Sequence, residues 1–230
     1  MKIIIELPSW LGDAVMASPA IENLIECLNE PEVTIVGSSI AIEALSSHPK
    51  VRNTYVLKKN YIDLYKTIKM LGKFDMLFSF RGSFRSKLFK FLISSKKKYQ
   101  FDKNNYKNIH QVEKYNSFIN DSLGLNTEAK KLIVNAEKTA IIQNNKILGI
   151  NPGASYGSAK RWYPEEFATV AASLSDHYDI LIFGGPDEID ISNQIEDYLI
   201  KNKVTNYTNL AGKTSIKDLI ENISSLDLMV

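Results

Sequence analysis

Apolar residues in this chain fall into short runs of strand length separated by stretches with helical spacing. KIIIEL (2–7) is such a run, and Ile21, Leu24, Ile25 and Leu28 behind it keep a helical period. VTIVG (33–37) predicts a second strand, residues 40–45 a short helix, TYVL (54–57) a strand, and residues 64–71 a helix. FDMLFSF (74–80) predicts a further strand, with a basic-flanked helix over 84–93. Short runs without strict alternation, each followed by a helix, are the pattern of a parallel sheet covered on both faces. The pattern loosens over 126–146 and restarts at Ile147. There ILGIN is a strand, 164–176 a helix, DILIFGG (179–185) a strand, 187–200 and 216–223 helices, and LDLMV (226–230) a strand. The fold class expected is α/β, with two Rossmann-like parallel-sheet domains over 1–146 and 147–230. The second is short for a complete mononucleotide-binding fold and is expected to be incomplete at its C-terminal end.

Composition narrows the function. The 230 residues carry 28 Lys and Arg against 26 Asp and Glu, a formal net charge of +2, which argues against a dedicated nucleic-acid partner. Cys27 is the single cysteine and is expected in the core, so neither a disulfide framework nor a multi-cysteine metal site is predicted. His48, His110 and His177 have no ligand spacing, so no metal is expected. Neither a signal peptide nor a membrane span is predicted, and a soluble protein of a reducing compartment is expected.

Six stretches are candidates for chemistry or capping. SWLGDAV (9–15) follows the first strand and puts Asp13 near a helix start, either as an N-cap or as a carboxylate able to take a proton from a hydroxyl. Ser18-Pro19 is a competing helix start that would free Asp13 from capping. NPGASYGSAKRWYPEEF (151–167) joins small residues, including Ser155, to the cations Lys160 and Arg161 before a helix, an arrangement suited to a diphosphate. FGGPDE (183–188) places Asp187 and Glu188 at another helix start, as ribose ligands or as favourable helix-end charge. In LAGKTS (210–215), Thr214 or Ser215 is read as a cap. RGSFRSKLFK (81–90) offers Arg81, Arg85 and Lys87 to an acidic ligand, or else as a snorkelling flank. The Lys- and aromatic-rich 96–115 stretch is read as solvated surface, with anionic lipid headgroups as the other possibility. Trp10 and Trp162 flank the two key loops as binding-site wall or as packing. One glycine where a dinucleotide fingerprint needs three disfavours a nicotinamide oxidoreductase, and the absence of GxxxxGK[ST] excludes a P-loop ATPase.

LPSWLGDAVMASPA, the PGA-x-x-G-x-AKRW block, FGGPDE and NLAGKTSIKDLIENISSLDLMV, in that order along the chain, resemble the ADP-heptose:lipopolysaccharide heptosyltransferases of glycosyltransferase family 9. The resemblance implies a GT-B fold, two Rossmann-like domains facing a cleft, with the acceptor on the first and the nucleotide sugar on the second. It implies Asp13 as general base, Lys160 on the donor diphosphate with Ser155 and Arg161 beside it, and Asp187 or Glu188 at the ribose. It implies heptose transfer from ADP-heptose to the heptosyl-Kdo-lipid A inner core, inverting and without metal or other cofactor. The enzyme would be cytoplasmic, touching the inner membrane transiently. In the family the strand matching LDLMV leads into a donor-gripping segment, and this sequence ends at Val230 before it. Another nucleotide sugar on the same fold, or nucleotide-sugar binding without turnover, are the alternatives.

Overall fold

The computed structural model describes residues 1–135, 145–154 and 158–230, with only the backbone of Ser158. The chain forms two compact units, Met1–Asn135 and Ala136–Val230. Lys146, expected as the last residue of the first domain, is instead the first residue of a strand of the second unit, Lys146–Ile150.

In the first unit β1 (Lys2–Glu6), α1 (Leu11–Cys27), β2 (Glu32–Gly37), α2 (Ser39–Leu45) and β3 (Val51–Val56) are followed by α3 (Tyr61–Met70), β4 (Phe74–Ser79), α4 (Phe84–Leu92), β5 (Ser95–Gln100) and α5 (Gln111–Leu123). The sheet order is β3-β2-β1-β4-β5, every pair parallel. Ile3, Ile4 and Ile5 are all fully buried, because the central strand has helices on both faces and no polar side to show. Leu64 and Ile68 of α3 and Phe89 of α4 share one core with Ile4 and Leu77.

Local chemistry moves several boundaries. The Asn60 side chain accepts from the Ile62 N–H at 2.8 Å, so the third helix begins at Tyr61 rather than at Leu64. The third strand begins at Val51, three residues before the expected TYVL. The competing helix start at Ser18-Pro19 is corrected, since both residues lie buried within α1. Pro19 has no N–H for the Val15 carbonyl, and Ser18 Oγ donates to that oxygen instead, at 2.8 Å. The same hydroxyl accepts from the Ile133 N–H at 2.9 Å, which ties the end of the unit to its first helix.

β5 and α5 are additions to the expected pattern. β5 reads SKKKYQ, and a Lys-rich edge strand carries no apolar run. α5 buries Tyr115, Asn116, Phe118 and Ile119 against α1. Cys27 is exposed, contrary to the core position expected. It is the last residue of α1, one turn beyond Asn23, whose amide is covered by Asn116 and the Glu128 carbonyl at 2.8 Å each.

The second unit has β6 (Lys146–Ile150), α6 (Pro164–Leu174), β7 (Tyr178–Ile182), α7 (Ile189–Lys201), β8 (Tyr207–Asn209), α8 (Ile216–Ser224) and β9 (Leu228–Met229). Its parallel order is β8-β7-β6-β9, over a core of Leu148, Ile180, Ile182, Phe167 and Ile195. β8 was not legible as a strand, having only three residues. Among the described residues no helix is long and apolar enough to cross a membrane.

Candidate functional site

Asp13 is the third residue of α1, just past the carboxyl end of β1. The N-cap is Trp10, whose side chain makes no capping bond, so the N-cap reading of Asp13 is corrected. Asp13 is half-buried, and loss of water around its carboxyl pushes its pKa above the ordinary aspartate value. The nearby Tyr115 phenol is 3% exposed, and burial first, the Asp13 charge second, push it up and keep it neutral. A carboxyl of raised basicity in the first turn of the helix that follows a central strand is the chemistry a general base needs.

Glu6, the last residue of β1, is the functional candidate that the sequence reading passed over. It is fully buried and accepts from Ser79 Oγ at 2.5 Å and Ser86 Oγ at 2.7 Å, with Arg81 Nη1 at 3.8 Å. Burial raises its pKa, against the lowering pull of the two hydroxyls and Arg81. This hub clamps the ends of β1 and β4 to α4. A charged residue in an apolar run was the available signal, but its partners stand more than 70 residues away.

Arg81, Arg85 and Lys87 do not act as one group. Arg81 turns to Glu6, and Arg85 Nη2 donates to the Lys58 carbonyl. Lys87 instead lines a cavity of about 620 Å³ with Lys90, Lys103, Gln100 and Asp102, where Phe80 and Phe101 supply apolar wall. Phe80 and Phe101 directly follow β4 and β5, so this cavity opens at the carboxyl end of the first sheet. Three ammonium groups against one carboxylate suit an anionic ligand.

The second unit has a cavity of about 260 Å³ lined by Asn151, Phe183, Gly184, Gly185, Glu188, Gly212, Thr214 and Ser215, closed by Ile216, Leu219, Ile223 and Met229. These residues follow the carboxyl ends of β6, β7 and β8 or belong to α8 and β9, where an open α/β sheet takes its ligand. Glu188 accepts from the Gly185 N–H at 2.7 Å, and its carboxyl rests against Gly153, where a Cβ would collide with it. Gly212 has φ +70°, and its N–H donates to the Gly184 carbonyl at 2.9 Å. Ser215 caps α8, accepting from the Asp218 N–H at 3.1 Å, as the cap reading expected.

The predicted donor residues divide accordingly. Glu188 lines the cavity, whereas Asp187 is exposed and does not. Lys160 is exposed at the end of a short 3-10 turn, and Arg161 Nη2 donates to the Ala154 carbonyl at 3.0 Å, holding the loop after β6. Ser155 lies outside the described residues. Trp162 packs edge-on against Phe167 at 5.3 Å, while Trp10 is 65% exposed. Among the described residues no three His, Cys, Asp or Glu side chains gather as ligands of one metal ion.

Two parallel α/β units, each with loops and a cavity at the carboxyl ends of its strands, describe a transferase scaffold of the GT-B type. The family model for glycosyltransferase family 9 (heptosyltransferase) matches residues 64–230, and the chain belongs to that family. It is 41% identical to lipooligosaccharide heptosyltransferase 2 of Campylobacter jejuni serotype O:2, over 100% of this chain and 74% of the relative. Lipopolysaccharide heptosyltransferase 2 of Salmonella typhimurium is 23% identical, over 100% of this chain and 76% of that protein. Among solved structures, E. coli ADP-heptose lps heptosyltransferase II superposes with a TM-score of 0.81 at 20% identity, over 100% of this chain and 78% of that one. E. coli heptosyltransferase WaaC with ADP-2-deoxy-2-fluoro heptose gives 0.77 at 15% identity, over 100% and 82%. At those identities the structural likeness speaks to the fold.

Proposed function

We propose that this chain transfers heptose from ADP-heptose to the heptosyl-Kdo-lipid A inner core of lipopolysaccharide or lipooligosaccharide, with inversion at the anomeric carbon. The observation that carries the reading is Asp13, a half-buried carboxyl of raised basicity in a chain whose relatives are heptosyltransferases. The acceptor hydroxyl attacks the anomeric carbon and gives its proton to Asp13, while the bond to the diphosphate oxygen breaks and ADP leaves. Lys160 offsets the charge gathering on ADP, which requires no metal ion. Glu188 receives the ribose through the carboxylate oxygen not engaged by Gly185. The basic cavity with Lys87 and Lys90 receives the acidic inner-core sugars. The acceptor is lipid-linked, so the protein works as a peripheral visitor at the cytoplasmic face of the inner membrane.

Calorimetric titration of ADP-heptose, ADP and NAD into the protein and into Lys160→Ala tests the donor half. Binding of the first two but not NAD, weakened on the order of tenfold by the substitution, is expected for loss of one charge-assisted contact. NAD binding with no ADP-heptose binding would overturn it, and preference for another nucleotide sugar would move the donor. Transfer rates with and without a chelator test metal independence.

A further inference from the structure

The segment from Arg81 to Lys107 carries nine Lys or Arg and one acidic residue, Asp102, in a chain whose formal net charge is only +2. Folding sorts its aromatic residues in two directions. Those of the 96–115 stretch turn inward: Tyr99 stacks on Phe78 at 5.0 Å, Phe101 is buried and stacks on Tyr106, and Tyr115 is buried. The lipid contact considered for that stretch therefore has no exposed aromatic anchor at these four positions.

α4 does the reverse. Ser86 and Phe89 face the core, while Phe84 is 76% and Phe91 78% exposed. They lie two turns apart on the same face, with Lys87 between them and Leu88 half-buried alongside. The neighbouring helix α3, in contact with α4, exposes Ile62 and Met70. Large apolar side chains grouped in the open mark a surface that meets a partner.

The charge decides which partner. A second copy docked through the same face would bring two strongly basic surfaces together, which is repulsive. An anionic bilayer supplies both an apolar interface for the phenyl rings and countercharge for the lysines. We propose that the outer face of α4, with the adjoining part of α3, is a membrane-docking surface that seats Phe84 and Phe91 in the interface of an anionic bilayer. Lys87 and Lys90 lie on the flank of α4 that lines the basic cavity, so docking brings that cavity to the headgroup layer. The proposal deepens the reading of a lipid-linked acceptor, but its test contains no acceptor, and its failure would leave that reading standing.

The test is co-sedimentation of the full chain with phosphatidylcholine vesicles and with vesicles that also contain phosphatidylglycerol. Salt-sensitive binding to the second kind alone is expected. The double variant Phe84→Ser/Phe91→Ser should lower the partition on the order of tenfold or more, with thermal melting and ADP-heptose titration unchanged. In a separate variant, Phe84→Trp, emission should shift to the blue on adding anionic vesicles. Equal binding by the double variant, equal binding to both vesicle kinds, or no shift of the Trp emission would each overturn the proposal. So would a wild-type dimer in sedimentation analysis that the double variant turns into a monomer, which would assign the face to a second copy.

Discussion

At the carboxyl end of the first sheet the cavity is walled by long side chains, with Lys87, Lys90 and Lys103 around Phe80 and Phe101. At the carboxyl end of the second sheet three glycines, Gly184, Gly185 and Gly212, share the wall with the apolar side chains of Ile216, Leu219, Ile223 and Met229, in less than half the volume, about 260 against 620 Å³. Both cavities occupy the same place in the same kind of sheet, so topology does not distinguish them. Their building material does. A narrow, largely apolar slot set on tight glycine turns is rigid and suits a ligand part that is always the same, as a nucleotide is. Lysines are mobile point charges and suit a bulky anionic saccharide whose phosphates and carboxylates need neutralising rather than exact placement. On the proposed reading the general base and the acceptor cavity belong to the first unit and the nucleotide turns to the second.

The sharpest way to break that separation is Asp13→Asn. Turnover should fall by roughly a hundredfold or more, the usual size of base catalysis, with donor affinity kept. Steady-state rates near wild type would remove Asp13 from the mechanism. Wild-type kcat/KM should decline as pH falls through the raised Asp13 pKa, because the base must be ionised, and that acid limb should vanish in the variant.

Lys87→Ala/Lys90→Ala should raise the acceptor KM on the order of tenfold and leave ADP-heptose affinity alone, since both ammonium groups line the first cavity only. If donor affinity drops equally, the two cavities are not separate sites.

Gly153→Ala is the mirror experiment. A Cβ there would meet the Glu188 carboxyl, which would have to leave its place beside the Gly185 N–H. Donor affinity should weaken by roughly three- to tenfold, the scale of one displaced hydrogen bond, with the acceptor KM unchanged. A wild-type titration would show that the turn around Glu188 does not shape the donor site.

The smallest effect concerns the Glu6 hub. Its folded pKa is raised, so its protonated form adds stability that is fully present below the unfolded pKa and is lost as pH rises through the folded value. Glu6→Gln mimics the protonated form. The melting temperature of the variant minus that of wild type should therefore become more favourable as pH rises above the ordinary glutamate range and should shrink as pH falls back towards it. A difference that does not change with pH would mean that Glu6 does not titrate with unfolding in that window.

What was legible in the sequence follows period and turn chemistry. The strands at 2–7, 33–37 and 74–80 and the helices behind them were legible because burial on both faces writes an uninterrupted apolar run, as at Ile3, Ile4 and Ile5. Gly153, Glu188 and Ser215 stood out because a close approach or a cap demands particular residue types. β5 was hidden because an edge strand is held by backbone pairing to β4 and needs no apolar residue. α5 was hidden because its sequence mixes Lys with aromatics, and only packing against α1 decides that Tyr115 and Phe118 go inside.

The amino-acid order by itself determined the α/β class, the two β-α series, the loops that carry the chemistry and the family resemblance, because these depend on neighbours within a few turns of chain. Tertiary structure alone decided which charges are used up internally and which are left to a ligand. Arg81 is matched to Glu6 and Arg85 to the Lys58 carbonyl, whereas Lys87 lines a cavity. It also decided that Phe84 and Phe91 are exposed while Phe89, on the same short helix, is core. Burial and electrostatic partnership are set by groups distant in the chain, and no local pattern encodes the distance between them.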